Sequence, residues 1–158
     1  MELITVRELF KNIDKYAGQE ITVGGWVRNK RPSKQFGFIV LNDGSYFTPV
    51  QVVYNDTLAT FQEISKINIS AALIVRGTVE LTPDAKQPFE IQASSITVEG
   101  PSTGDYPLQP KKHSMEYLRT ITHLRPRANT FQAVFRIRSL AAMAIQQFFQ
   151  DRDFVYVH

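Results

Sequence analysis

Residues 24–54 read GGWVRNKRPSKQFGFIVLNDGSYFTPVQVVY, a pattern that predicts three consecutive β-strands around which the rest of the chain is arranged. Alternate side chains of a strand point to opposite faces. In the middle strand the two faces are both apolar, with Phe36, Phe38 and Val40 against Gly37, Ile39 and Leu41. One face can form a barrel core. The other either packs on a further element or serves as a platform for a flat ligand.

Polar and basic side chains accompany this second apolar face. Gln51 is out of phase with the apolar Val50 and Val52, so its amide is expected to point outward. The exit of the first strand is basic, with Arg28, Lys30, Arg31 and Lys34. An outward aromatic ring, an amide and guanidinium groups suit a nucleobase that is stacked and then read at its edge. The alternative is a phenylalanine covered by a loop, beside solvated charges.

The remaining elements of the first 100 residues predict a mainly β fold. Helices are expected over 5–16 and from Asn55 or Asp56 to about Ile67, and strands over 21–28, 36–42, 48–54, 71–81 and 89–98. Three strands, a helix and two strands is the order of the OB-fold, a five-stranded Greek-key barrel. Its ligand face is formed by strands 2 and 3 and by two loops, where Arg31, Phe38, Gln51 and loop 82–88 fall. This coincidence favours nucleic-acid binding.

The second part of the chain predicts a hinge followed by helices. Residues 99–112 hold three prolines and two glycines, which indicates a linker. A short helix is expected over 114–121, and a long one from Asn129 or Thr130 to about Arg152. The apolar stripe of the long helix is wide, so we expect burial on more than one side. Residues 154–157 are expected to begin a strand, a pattern that indicates truncation.

Composition limits the possible classes of function. The chain has 158 residues, a net charge of +3 and no cysteine, which excludes disulfides and thiolate metal sites and fits a cytoplasmic protein. Neither a secretory signal nor a membrane span is predicted, and the three histidines lack metal-ligand spacing. Residues 101–158 hold 8 Lys/Arg against 4 Asp/Glu, whereas residues 1–100 hold 10 against 11. This asymmetry favours an anionic partner near the second part, or a solvated surface of a larger protein.

Two runs of the sequence resemble class II aminoacyl-tRNA synthetases of the aspartyl/asparaginyl/lysyl subgroup. GWVRNKR…FGFIVLNDGS…VQVVY is similar to the anticodon-binding OB domain of that subgroup. The run from YPLQPKK to FVYVH is more specific, because HLRPR followed by the long helix resembles the bacterial asparaginyl enzymes rather than the aspartyl ones. The final helix with FVYVH is similar to class II motif 1, which normally ends with a proline just beyond. The resemblance covers essentially the whole chain.

The resemblance implies a tRNA-anticodon-binding site without a metal. Phe38 matches the aromatic residue that stacks on the central anticodon base, a uridine; Gln51 matches the amide that reads its edge, and Arg31 a basic residue at the anticodon. Glu90 matches a carboxylate that recognises the first base, of guanosine type. Thr82 stands where a bacterial aspartyl enzyme has arginine, a departure that fits a different third base but does not indicate which residue reads it. Gln87, in the loop over 82–88, is taken as the expected reader.

The same resemblance implies an asparagine–tRNA ligase that uses ATP and Mg²⁺ in its full length. Its motif 2 and 3 arginines and Mg²⁺-binding carboxylates have no counterpart here, so we assign no catalytic residue and expect this chain alone to be inactive. The implied partners are the anticodon loop of tRNA-Asn and, through the helix over 129–152, a second copy in a homodimer.

The expected organisation has three segments. Residues 1–100 form the OB-fold domain, 101–128 a hinge, and 129–158 the motif 1 helix and the start of a truncated catalytic domain. Two alternatives to the synthetase interpretation remain open. The first is a free-standing OB-fold protein for single-stranded nucleic acid, which leaves the long helix unexplained. The second is a truncated paralogue that acts through its dimerisation helix.

Overall fold

The computed structural model describes residues 2–157, so His158, the last residue of the expected motif 1 segment, lies outside the described residues. The chain forms two compact units that divide between Pro110 and Lys111. Among residues 2–157, every helix is too short or too polar to cross a lipid bilayer.

The first unit is a closed five-stranded barrel. Its strands are β1 (Glu20–Pro32), β2 (Phe36–Asn42), β3 (Val50–Asn55), β4 (Ala72–Leu81) and β5 (Phe89–Gly100). They are hydrogen-bonded in the order β1-β2-β3-β5-β4, and β1 closes the barrel against β4. β3 and β5 run parallel, and the other neighbours are antiparallel. This arrangement confirms the predicted OB-fold.

Side chains of β2 and β3 alternate between the barrel interior and its outer face. The interior positions are fully buried and are Ile39, Leu41, Val50 and Val52. Phe36, Phe38 and Gln51 lie out of phase with them and keep part of their surface exposed. The core is therefore made by one face of each strand, and the other face remains partly exposed.

Two short helices precede the barrel, α1 (Val6–Lys11) and α2 (Ile13–Tyr16). The single helix predicted over 5–16 is interrupted at Asn12, whose φ of −133° is not helical. The predicted cap is confirmed, because Thr5 Oγ1 accepts a hydrogen bond from the Glu8 N–H at 3.1 Å. In addition, Asp43 Oδ2 accepts from the Val6 N–H at 2.9 Å, which ties α1 to the β2–β3 loop.

The helix predicted from Asn55 or Asp56 to about Ile67 is only one turn long, α3 (Phe61–Ile64). The prediction was wrong because Asn55 makes a turn instead of a cap. Its Oδ1 accepts hydrogen bonds from the N–H and the Oγ1 of Thr57 at 3.2 and 2.5 Å. Phe61 and Ile64 are nevertheless buried in the barrel core, so α3 covers one end of it.

The second unit contains α4 (Met115–Thr120), a 3₁₀ turn (Arg125–Arg127) and α5 (Asn129–Gln150). Phe131 is the buried residue of α5, whereas Ile137, Leu140 and Met143 are 66%, 72% and 62% exposed. The prediction that this helix is buried on more than one side is therefore wrong for the described chain. The strand predicted over 154–157 is also absent from the described residues, where this segment does not take part in a β-ladder.

Candidate nucleic-acid interface

The centre of the candidate interface is Phe38 on the outer face of β2. The residues before and after it, Gly37 and Ile39, are buried, so the strand itself directs the Phe38 ring outward. The ring is half-buried, which leaves part of its surface open to a ligand. An aromatic ring held on a strand is a rigid platform on which a nucleobase can stack.

Arg31 lies beside this ring because of the register of β1 and β2. β1 continues to Pro32, past the end predicted at Arg28, and Arg31 is the cross-strand partner of Phe38. The guanidinium carbon is 5.1 Å from the centre of the Phe38 ring, within the range of a cation–π contact. A positive charge is thus held at the edge of the platform, where an RNA backbone or base would meet it.

Gln51 and Glu90 continue the cluster across β3 and β5. Arg31 Nη2 donates to Gln51 Oε1 at 3.3 Å, and Gln51 Nε2 donates to Glu90 Oε1 at 2.5 Å. A carboxylate accepts and a guanidinium donates, so the two neighbours fix which end of the Gln51 amide points to each. Four side chains from four different strands therefore form one connected surface, hereafter the Phe38 cluster (Arg31, Phe38, Gln51 and Glu90).

Gln87 lies in the β4–β5 loop and outside the hydrogen bonds of the Phe38 cluster. The loop is closed by two bonds from Thr82, whose N–H donates to Pro88 O at 2.9 Å and whose Oγ1 donates to Gln87 O at 2.8 Å. Within residues 2–157, the buried side-chain Oε1 of Gln87 has no hydrogen-bond partner. The loop thus holds an unsatisfied acceptor, and Thr82 serves the loop itself.

Lys30, near the end of β1, and Lys34, in the loop that follows, differ in their contacts. Lys30 Nζ donates to the backbone oxygen of Ser65 at 3.2 Å, and partial burial lowers the pKa of Lys30 below its ordinary value. Lys30 therefore holds the segment after α3. Lys34 is exposed in the β1–β2 loop and remains available to an anion.

Sequence reasoning assigned no role to Phe36. Its side chain is 45% exposed, and its ring centre is 5.6 Å from that of Phe38 at an interplanar angle of 86°. The two-residue spacing of Phe36 and Phe38 was the signal that could have identified both as ligand positions. The contact between Gln51 and Glu90 was also missed, since these residues are 39 positions apart in the chain.

Comparisons with known proteins identify the family and the fold. A family model described as OB-fold nucleic acid binding domain matches residues 21–99, half of the chain. The asparagine–tRNA ligase of Alkaliphilus oremlandii is 61% identical over 158 residues, which are 100% of this chain and 34% of that protein. An asparagine–tRNA ligase of Bacillus cereus is 58% identical with the same coverage. The chain therefore spans about a third of the length of these relatives.

Solved structures show the same fold. The asparaginyl-tRNA synthetase from Pyrococcus horikoshii complexed with asparaginyl-adenylate matches 100% of this chain and 36% of its own, with a TM-score of 0.86 and 20% identity. The aspartyl tRNA synthetase from Entamoeba histolytica matches 100% of this chain and 39% of its own, with a TM-score of 0.80 and 21% identity. With the family match over half of its length and a closed barrel of the expected strand order, the chain belongs to the family of OB-fold nucleic-acid-binding domains.

Proposed function

We propose that this chain is the anticodon-binding part of an asparagine–tRNA ligase, with the Phe38 cluster as its site for the anticodon loop of tRNA-Asn. The observation that carries the proposal is the convergence of a ring, an amide, a carboxylate and a guanidinium from four strands on one face. The names of relatives that are 61% and 58% identical support it. RNA loops are recognised in this way, by bases splayed onto aromatic rings and read at their edges.

In this proposal Phe38 provides affinity and Gln51 reads the central base. The Gln51 amide keeps one N–H and one oxygen lone pair for a ligand after its bonds to Glu90 and Arg31. The edge of uridine offers the complement, a carbonyl acceptor next to the N3–H donor. Cytidine presents an acceptor at N3 and a donor at N4, so its pattern is reversed and does not match the fixed amide.

Glu90 and Arg31 complete the recognition of the anticodon. Glu90 Oε1 is occupied by Gln51, and its second oxygen is left to accept from the N1–H and amino group of a guanosine-type first base. Arg31 supplies positive charge and contributes to the binding of any RNA sequence. Gln87 is proposed to contact the RNA from the β4–β5 loop with the exposed part of its side chain.

The decisive experiment is titration of an asparagine-type anticodon stem-loop with Phe38→Ala. Loss of a base–aromatic stack is expected to weaken binding by about 1–3 kcal/mol. Phe47→Ala is the matched control, because Phe47 is 46% exposed in the β2–β3 loop, beyond the opposite end of β2. Circular dichroism checks that both variants fold. Equal affinity of Phe38→Ala and the parent for this stem-loop would refute the site. Equal affinity of the parent chain for RNA loops of any sequence would favour a general single-strand binder.

The ligase reaction itself is assigned to the full-length protein. Asparagine would be activated with ATP and Mg²⁺ and transferred to the tRNA. In the part of the chain that the structure describes, no three His, Cys, Asp or Glu side chains come together to hold a metal ion. We propose neither a cofactor nor a catalytic residue for this chain, because the motif 2 and motif 3 arginines and the Mg²⁺-binding carboxylates that the resemblance implies have no counterpart in its sequence. An assay of asparagine-dependent ATP–pyrophosphate exchange is expected to show no activity for it.

Residues 1–100 are proposed as the anticodon-binding domain, 101–128 as a hinge, and 129–158 as the start of the catalytic domain. The exposed apolar side chains of α5 support a homodimer through residues 129–152 in the full-length enzyme, since soluble proteins rarely leave such a stripe uncovered. The enzyme is proposed to act in the cytoplasm, where tRNA is charged.

A further inference from the structure

Phe36 is a large aromatic side chain that lies outside the buried core of the barrel. It is 45% exposed at the start of β2, whereas the next residue, Gly37, faces the interior. Its backbone is fixed on both sides, because Phe36 O accepts from the Ser33 N–H and Gln35 O accepts from the Asp56 N–H, each at 2.9 Å. The ring is therefore presented to solvent from a rigid strand end and not from a mobile loop.

The two rings are arranged for two separate bases. Residues two apart on a strand are about 6.6–6.8 Å apart along its axis, and here the ring centres are 5.6 Å apart at 86°. Phe36 thus meets Phe38 edge to face, so neither ring covers the whole face of the other. Bases that stack on both rings cannot remain stacked on each other, which is the splayed state in which proteins read single-stranded RNA.

The strand register places Phe36 on the far side of Phe38 from Glu90. Phe36, Phe38 and Val40 pair with Asn55, Val53 and Gln51, in that order along β3. Gln51 is level with Glu90, because Val52 pairs with Ile91 in the parallel β3–β5 ladder and Gln51 bonds to Glu90. Along the strand direction the order is therefore Glu90, then Phe38, then Phe36.

We propose that Phe36 is a second stacking position, which takes the third anticodon base while Phe38 takes the central one. This inference rests on the proposed function, in which Glu90 takes the first base. A strand of RNA that passes Glu90 and Phe38 in sequence reaches Phe36 with its next base. Lys34 is exposed two residues before Phe36, and in this proposal it supplies positive charge for the RNA backbone.

The proposal differs from the expectation that Gln87 reads the third base. The loop of Gln87 enters β5 directly at Phe89, next to Glu90. Gln87 therefore lies at the end of the interface where the first base is placed. The two assignments predict different partners for the third base and can be separated by measurement.

The test combines protein variants with abasic nucleotides in the anticodon stem-loop. The 158-residue chain and its Phe36→Ala, Phe38→Ala and Gln87→Ala variants are titrated with loops that lack the first, the central or the third base. Phe36→Ala is expected to weaken binding of the intact loop roughly 5- to 150-fold, the range for one base–aromatic stack. With the third base absent, the same substitution is expected to have no effect. Phe36→Tyr, which retains the ring, is expected to keep the affinity.

Each other outcome overturns the proposal. If the effect of Phe36→Ala disappears when the central base is absent, Phe36 only positions Phe38. If the effect of Phe36→Ala disappears when the first base is absent, the order of bases along the strand is wrong. The same holds if the effect of Gln87→Ala, and not that of Phe36→Ala, disappears when the third base is absent. If Phe38→Ala binds as the parent does, the proposed function fails as well. A loss for Phe38→Ala together with no loss for Phe36→Ala rejects the second stacking position alone. Thermal melting identifies any variant that unfolds.

Discussion

Gly37→Ala is a small change in sequence that the barrel cannot accommodate. A Cβ built at Gly37 would lie 2.4 Å from both Cζ and Oη of Tyr54, about 1 Å inside ordinary van der Waals contact. Tyr54 is 1% exposed, and its ring also contacts Phe61 at a centroid distance of 5.6 Å. Because the ring has no room to move toward solvent, β2 or the core must shift.

The expected cost follows from this overlap. Overpacking of a core costs about 1–3 kcal/mol, and replacing glycine returns about 0.4–1 kcal/mol through the unfolded state. We therefore expect Gly37→Ala to lower the free energy of unfolding by about 1–2 kcal/mol. For a domain of this size the corresponding drop in Tm is roughly 5–15 °C. Urea denaturation followed by circular dichroism measures the first quantity, and thermal melting the second.

Gly104→Ala is the control, because a Cβ there meets nothing within 4 Å and Gly104 is not among the positive-φ glycines. Its stability is expected to be unchanged or slightly higher. Tyr54→Phe removes a buried hydroxyl that has no partner within residues 2–157, so it should cost little and should restore part of the stability lost in Gly37→Ala. If Gly37→Ala has the same Tm as the parent, the reasoning from the overlap is refuted.

Three further predictions concern the interface and α5. Gln51→Ala should reduce the difference in binding free energy between loops with central uridine and loops with central cytidine by about 1–3 kcal/mol. Equal losses of affinity for both RNAs would refute edge reading. Arg31→Ala should weaken the binding of every RNA tested. It should also reduce the slope of log K against log salt, measured from 50 to 200 mM salt, by about the amount that corresponds to one phosphate contact. Sedimentation should show self-association of the chain, reduced by replacing Ile137 and Leu140 with glutamate; a monomeric parent at high concentration would contradict it.

The barrel could be predicted because its central strands follow a strict period of two. In β2 alternation separates Phe38 from Ile39 and Leu41, but both faces are apolar, so it does not by itself say which set is buried. The outward position of Gln51 between two buried valines does follow from alternation. The local pattern of apolar and polar residues thus indicates which face of β3 is exposed.

The contacts within the interface could not be predicted, because they depend on register. Arg31 faces Phe38 only because β1 contains an irregularity between Val27 and Asn29, which shifts its pairing with β2. A shift of one residue would send the Arg31 side chain to the other face. The helix predicted after Asn55 failed for a related reason, since a side chain suited to capping formed a turn with Thr57 instead.

In the proposed interface the aromatic rings and the polar groups contribute differently to affinity and to discrimination between bases. In the proposed complex Arg31, Gln51 and Glu90 keep the hydrogen bonds that they make to one another, and their remaining donors and acceptors exchange water for the correct base, which gains little net affinity. A wrong base removes that water without replacing its hydrogen bonds, and each polar group left unpaired under the base then costs about 1–3 kcal/mol. The rings make no hydrogen bonds that a base must replace, so the proposed stacking on Phe38 and Phe36 contributes to affinity for any base. Affinity should therefore depend mainly on the two phenylalanines, and discrimination on the amide and carboxylate beside them.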